Sequence, residues 1–351
     1  DALESQMLPA YAAYLDNIVK SIRLVPKCLV LTGRYPFFRV YESVLHSIHT
    51  LLCSTASSST NTNNITLSVP IERAIVHFLD EIPLPPSGKE RFEFNMTPNP
   101  SSSSIVLPTI RMERPPLNRL PLINFSYKTL VSSLSVAQII TVVTALILDQ
   151  KVIVLSEDIS KISLVCECLC SLLFPLRWQN PYIPLLPRSM QDMVYAPMGY
   201  LMGMPMALYP GDDDPMLMGE VVVVDLDESC IVHADNGVNL NVPKKIRVQL
   251  TKDVQSAVKE VDDATMGTYL REAFVMFFAR LLRGYKSYLS SSESFEELFD
   301  KKSFMKYYQK REKIRGDELK EAMEFLDSFL DTQMFQMFIE DRVWPSERNF
   351  E

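Results

Sequence analysis

The chain has 351 residues, of which 47 % are hydrophobic and 22 % charged. That is ordinary for a globular protein of two domains, or of one large domain with an extension, and it argues against global disorder. Against 43 acidic residues stand 35 basic ones, and the net charge of -8 with a pI near 5.2 argues against general nucleic-acid binding, which needs a basic face.

Taken in chain order, residues 7–22 offer one helix, and 27–31 (Lys-Cys-Leu-Val-Leu) read as a short buried strand. Gly33, Arg34, Tyr35 and Pro36 turn the chain into an amphipathic helix over 37–53, with Phe38, Tyr41, Leu45, Ile48 and Leu52 spaced three and four apart. Residues 54–64, almost all Ser, Thr and Asn, predict a loop, as do Pro-Asn-Pro and four serines at 97–104. Between them a helix over 71–79 is stopped by Ile-Pro-Leu-Pro-Pro. Ser135 and Gln138 have capping-box spacing, so a helix starts there and runs, apolar nearly all round, to 148. Residues 151–155 (Lys-Val-Ile-Val-Leu) form a strand covered on both faces. Asp158 or Ser160 caps a helix reaching 174, and strands follow at 182–185 and 221–224. Strands alternating with helices predict an α/β layer with a largely parallel sheet. Beyond about 250 the pattern turns all-helical, with stripes Tyr269, Phe274, Phe277, Phe278, Leu281, Leu282 and Leu319, Met323, Phe325, Leu326, Phe329, and an exposed loop at 290–294.

No apolar run approaches the roughly 18 residues of a membrane-spanning helix. The longest, 136–148, is interrupted by Gln138, Thr141 and Thr144. The start, Asp-Ala-Leu-Glu, has neither a signal core nor a methionine and reads as an excised or processed piece. Six cysteines are too few for a disulfide scaffold and point to a reducing compartment. Ten glycines argue against a glycine-rich phosphate cradle, and 23 prolines predict many rigid connections.

Several groups invite a chemical reading. Cys166, Cys168 and Cys170 share a predicted helix, but i and i+2 side chains point apart, and His46, His49, His77 and His233 supply no paired spacing for a closed zinc site. Small buried thiols are the better account. His46 and His49 read as partly buried helix residues. Asp225 and Asp227 end a buried strand, where α/β folds place ligands. They raise the idea of an Mg²⁺-dependent hydrolase of the haloacid-dehalogenase type, although Ser229 stands where those enzymes usually carry Thr or Val. The plainer reading is a strand end entering a turn, its acids solvated or capping. Asp212, Asp213 and Asp214 read as a solvated acidic turn. Glycine-rich phosphate loops, His-Glu-x-x-His and Gly-x-Ser-x-Gly do not occur.

Six segments in collinear order resemble the DENN family. Residues 26–45 (from Pro-Lys-Cys-Leu-Val-Leu-Thr-Gly-Arg-Tyr-Pro) are similar to its final longin-module strand and helix, and 70–88 to its linker. Asp149-Gln-Lys-Val-Ile-Val-Leu-Ser resembles the strand after its buried helix. Phe174-Pro-Leu-Arg-Trp-Gln-Asn-Pro-Tyr-Ile-Pro-Leu-Leu-Pro, followed by Ala196-Pro-Met-Gly-Tyr-Leu-Met-Gly, resembles its central signature. Residues 221–227 resemble a later strand, and Phe299-Asp-Lys-Lys-Ser-Phe with Phe329-Leu-Asp-Thr-Gln-Met-Phe-Gln-Met-Phe-Ile its downstream helices.

The resemblance implies a partial longin module over 1–53, a linker over 54–104, a central α/β module over 105–250 with a largely parallel sheet flanked by helices, and an all-helical downstream region over 251–351. A longin module has more strands than 1–53 supplies, so its earlier strands are expected either to precede Asp1 in the full protein or to be missing. It also implies a function: guanine-nucleotide exchange on a Rab-family GTPase, with no covalent catalysis, cofactor or metal. An exchange factor binds the nucleotide-free form more tightly than the GDP form, and by linkage this weakens GDP binding. The alternative is a DENN-fold scaffold or GTPase-effector module without exchange activity. Both place the chain in the cytoplasm and in vesicle traffic, peripheral on vesicle or endosomal membranes through its partners, with neither nucleic acid nor direct membrane insertion. The implied Rab-binding residues lie near the signature: Trp178, Asn180, Gln191, Asp192, Met198 and Tyr200, with Trp178, Met198 and Tyr200 also fitting as core. Phe174, Pro175, Pro184 and Pro197 are assigned to core or turn geometry.

Overall fold

The structure, a computed structural model, describes residues 28–33, 35, 37–58, 71–86, 88, 91–96, 107–115, 120–123, 125–211, 214, 217, 221–232, 240–290, 298–313 and 315–344, with backbone only at 54–58 and 71. The expected helix at 7–22 and the loops at 59–64, 97–104 and 291–294 lie outside these residues, as do Asp212 and Asp213. The chain divides into one unit formed by Asp1–Arg114 with Leu122–Asn124 and another formed by Pro115–Pro121 with Phe125–Glu351.

In the first unit, helix α1 spans Phe38–Ser58. It therefore continues through 54–58, where the composition predicted loop. Extending a formed helix costs far less than nucleating one, so a Ser/Thr tail is carried along. Its buried side is Val40, Val44, Ile48 and Leu51, with Phe37 just before it. The expected stripe was thus turned by about one residue, or roughly 100°: Phe38 and Leu52 are exposed. Ile71–Val76 forms α2 and passes into a π-turn over His77–Glu81, where His77 ties Glu81 to the Asn95 carbonyl. Strands β1 (Phe92–Phe94) and β2 (Ile110–Met112) pair antiparallel, Phe94 opposite Ile110 and both buried. These residues share one core with α1, and so the described part of 71–96 packs on that helix. Residues 28–31 form no strand. Val30 is 69 % exposed, and among the described residues no strand pairs with this run, so nothing holds it as a buried strand.

The second unit follows the expected α/β pattern. Short α3 (Lys128–Ser133) precedes α4 (Val136–Ile147), whose N-terminus carries the capping box: the Ser135 hydroxyl accepts from Gln138 N–H, and Gln138 Oε1 accepts from Ser135 N–H. Strand β3 (Lys151–Ser156) is buried from Val152 onward. Helix α5 (Ile159–Ser171) is capped by Asp158, which accepts from Ser160 N–H at 2.9 Å. Then come β4 (Tyr182–Ile183), a 3-10 segment over Arg188–Tyr195, β5 (Tyr200–Pro205), β6 (Val221–Asp225) and β7 (Cys230–Val232). Among the described residues the sheet runs β4-β5-β3-β6-β7, parallel except for β7. Lys151 stands level with Tyr200 on one side and Val221 on the other.

Strand β5 escapes the sequence pattern because Tyr-Leu-Met-Gly-Met-Pro holds no β-branched residue and includes Gly and Pro, which strands disfavour. Gly203 is required there: a Cβ on it would stand 2.2 Å from the Pro184 carbonyl oxygen and 2.3 Å from Ile162. The described residues that follow form the helices α6 (Lys244–Val258), α7 (Asp263–Leu281), α8 (Lys301–Glu312), α9 (Asp317–Leu330) and α10 (Gln333–Val343), with a single antiparallel bridge between Leu289 and Phe299. Asp262, Asp300 and Thr332 cap α7, α8 and α10 through their side chains. The two expected stripes are buried apart from exposed Tyr269 and half-buried Leu319 and Met323. Rings of Phe299, Phe304, Phe325, Phe329, Phe335 and Phe338 join in a chain of aromatic contacts. No helix among the described residues is long and apolar enough to cross a membrane.

Candidate partner-binding surface

The segment between α5 and β5 carries five of the six expected site residues, and the sixth, Tyr200, opens β5. Trp178 is half-buried, and its indole N–H donates to the Pro181 carbonyl at 3.3 Å. That same carbonyl accepts from Leu201 N–H at 3.0 Å, so the bend before β4 is pinned to β5. Asn180 donates its side-chain amide to Asp149 Oδ1 at 2.8 Å, while Gln333 N–H at the start of α10 donates to Oδ2 at 2.9 Å. One carboxylate therefore ties the α4–β3 turn, the β4 bend and α10. Burial raises the Asp149 pKa above its ordinary value, against the Gln333 N–H and the Asn180 amide, which favour the ionised form. Asp149 sits at φ 52°, a left-handed conformation that Asp tolerates better than most residues.

The other four residues frame the 3-10 segment. Gln191 donates to the Leu208 carbonyl at 2.7 Å. Asp192 is exposed, and Met198 is 51 % exposed. Tyr200 is fully buried, and its hydroxyl donates to the Val194 carbonyl at 2.7 Å. Tyr200 thus takes the core alternative of the sequence reading: as the first residue of β5 it packs in the sheet's core and holds the 3-10 segment through its hydroxyl. Nearby, the Tyr195 hydroxyl donates to Asp214 at 2.9 Å, a bond that raises the Tyr195 pKa. Two large apolar side chains missed at the sequence level, Leu185 and Met190, are exposed on the same segment as Met198. Asp149 was also missed as a connector. Its only signal was an acid at a helix-to-strand junction.

At the other end of the sheet, Asp225 and Asp227 are engaged in the turn. Asp225 accepts from the N–H groups of Asp227 at 2.9 Å and Glu228 at 3.0 Å. Asp227 accepts from Glu157 N–H at 2.7 Å, Ser156 Oγ at 3.0 Å and Lys161 Nζ at 3.2 Å, and these donors hold its pKa below the ordinary value. This is the capping role, and it leaves the hydrolase idea without a free carboxylate pair. Cys166 and Cys168 are buried and Cys170 is half-buried. Burial raises all three thiol pKa values, that of Cys170 to about 12, which makes them inert neutral thiols at neutral pH. His46 and His49 are exposed rather than partly buried, since the face of α1 that packs is the one carrying Val44 and Ile48. No cluster of metal-ligating side chains occurs among the described residues.

A sequence model of the DENN (AEX-3) domain matches residues 24–229, more than half of the chain. The chain belongs to the DENN domain family. The match takes in α1, the sheet as far as the β6–β7 turn, and the whole segment from Trp178 to Tyr200. Human DENN domain-containing protein 2A is 29 % identical over 287 residues, covering 78 % of this chain and 26 % of that protein. The DENN domain and WD repeat-containing protein SCD1 of Arabidopsis thaliana is 26 % identical over 361 residues, covering 95 % and 28 %. Human DENN domain-containing protein 2C is 27 % identical over 339 residues, covering 95 % and 33 %. The chain thus spans a quarter to a third of the length of these relatives. Its DENN segment is an α/β layer with a mostly parallel sheet flanked by helices.

Proposed function

We propose that this DENN chain acts as a guanine-nucleotide exchange factor on a Rab-family GTPase, working in the cytoplasm on vesicle traffic and reaching membranes through its partners. Its family membership is the observation that carries the reading. The segment 178–200 supports it with an exposed acid, Asp192, and exposed apolar side chains at Leu185, Met190 and Met198 on a framework fixed by Tyr200, Trp178, Asn180 and Gln191. In this reading Asp192 and Met198 meet the GTPase, while the other four hold the segment in shape.

The chemistry asks for no nucleophile, acid or base in the chain. A GTPase holds GDP through its phosphate loop, Mg²⁺ and switch segments. A surface that fits only the nucleotide-free switch conformation weakens GDP by as much as it prefers that form, about tenfold for each 1.4 kcal/mol.

The test is release of a fluorescent GDP analogue from a panel of Rab proteins in excess unlabelled nucleotide, with this chain beside one extended at its N-terminus. Acceleration on one or a few Rabs is expected. No acceleration by the extended chain on any Rab would overturn the proposal in favour of a scaffold or effector.

A further inference from the structure

The helical part of the second unit, with Pro175 from the turn after α5, lines an apolar cleft of about 400 Å³. Its floor is Phe278 and Leu282 at the end of α7 with Phe338 of α10. Its rim is basic: Arg283 and Lys286 come from the turn after α7, and Arg342 from the last turn of α10. Among the described residues no carboxylate lines the cleft, and none of these three cations has an ion-pair partner. The acid beside Arg342 in sequence, Asp341, faces Arg177 at 3.9 Å, and Asp253 is taken by Arg280 at 2.8 Å.

The rim is held in place. The Arg342 guanidinium lies 5.0 Å from the centre of the Phe338 ring. Gly284 turns the chain at φ 86°, and Arg311 donates to the carbonyls of Arg283 at 2.7 Å and Arg280 at 3.0 Å, which fixes the basic turn. Cations gathered without counter-charges repel each other, an arrangement that an arriving anion relieves. In a chain of net charge -8 this local sign is the reverse of the whole.

We propose that this cleft docks an acidic amphipathic helix of a partner protein. A leucine or aromatic side chain of that helix occupies the floor, and Asp or Glu residues one turn to either side meet Arg283, Lys286 and Arg342. The concave floor selects a single segment with an apolar anchor, the helix-in-groove mode, over a membrane, which meets flat or convex surfaces. The spacing of three or four residues between anchor and acids places them on one face.

The test is selection of a displayed library of helical peptides, apolar at two positions four apart and random elsewhere, on the whole chain. Affinities of the enriched peptides are then measured for the chain, for the double variant Arg283→Glu/Arg342→Glu, and for Ala279→Glu, which sets a carboxylate at the exposed edge of the cleft. Convergence on acidic flanks is expected, with binding weakened about tenfold or more in both variants and falling with salt, at unchanged melting temperature. Enriched peptides without acidic flanks, peptides that bind the variants equally well, or no binder at all would overturn the proposal. So would phosphatidylserine vesicles or a second copy of this chain binding through the same three cations where the peptides do not. None of these outcomes depends on nucleotide exchange, so this proposal and that reading fail separately.

Discussion

At the N-terminal end of the parallel sheet, Asp149 is half-buried and joins three segments, and its burial outweighs the donors that reach it, so its pKa rises. At the C-terminal end, Asp227 is exposed and joins β3, α5 and the β6–β7 turn, and its donors outweigh burial, so its pKa falls. Two aspartates with similar tasks thus respond to pH in opposite ways. The difference teaches that an acid at a strand end, which in sequence invites a catalytic reading, can be spent entirely on holding the sheet's connections. Solvent access then decides the sign of its shift.

The N-terminal end is the more tightly built, and a single methyl tests that. A Cβ on Gly199 would stand 2.0 Å from the Asp149 backbone carbonyl oxygen, which cannot swing away as a flexible side chain would. Gly199→Ala is expected to lower stability by about 3 kcal/mol, read from urea unfolding. Asp149→Ala leaves Asn180 and Gln333 without their acceptor and puts Ala at a positive φ, for a loss of about 2 kcal/mol in the same measurement. An equal loss for Asp227→Ala would break the comparison, because Asp227 is exposed and two of its donors, Glu157 N–H and Lys161 Nζ, turn to water.

Met198→Glu sharpens the comparison at the surface beside that end. Exchange on the responding Rab is expected to slow about tenfold with the melting temperature unchanged. The pH dependence then separates the two acids. Asp149 is raised, so its contribution is largest below the ordinary aspartate value of 3.8 and declines as pH rises through its folded value. Asp227 is lowered, so its contribution is present above 3.8 and is lost as pH falls through its folded value. Unfolding of the parent chain, Asp149→Asn and Asp227→Asn between about pH 3 and about pH 7 should give difference curves of opposite slope. The smallest effect is at Asp225. Asp225→Asn keeps an acceptor for the turn and should change stability by less than about 0.5 kcal/mol and exchange not at all, whereas a loss as large as that of Asp149→Ala would contradict its part as a turn acid.

The legible parts were those where one pattern ran long enough to exclude others. Helix α4 is apolar nearly all round and opened by a capping box, and β3 and β6 are unbroken β-branched runs, so their type and burial follow from residues alone. Strands β1 and β2 have three residues each, too short for alternation to register. In α1, two stripes of equal spacing compete, and contact with α2, β1 and β2 in one core selects the one through Val44. Tyr200 is the instructive site residue: a tyrosine beside a signature loop looks like a contact, but strand pairing turned it inward. Asp149 acts through partners 31 and 184 residues away, a distance no local pattern spans.

The most direct measurement is the affinity of this chain for a responding Rab in its nucleotide-free and GDP-bound forms, by surface immobilisation of each form. An exchange factor requires a preference for the empty form equal to the factor by which the chain weakens GDP binding. A preference of about a hundredfold or more is the expected result. Equal affinity for the empty, GDP and GTP forms would contradict it and make the chain a scaffold that binds the GTPase without opening it.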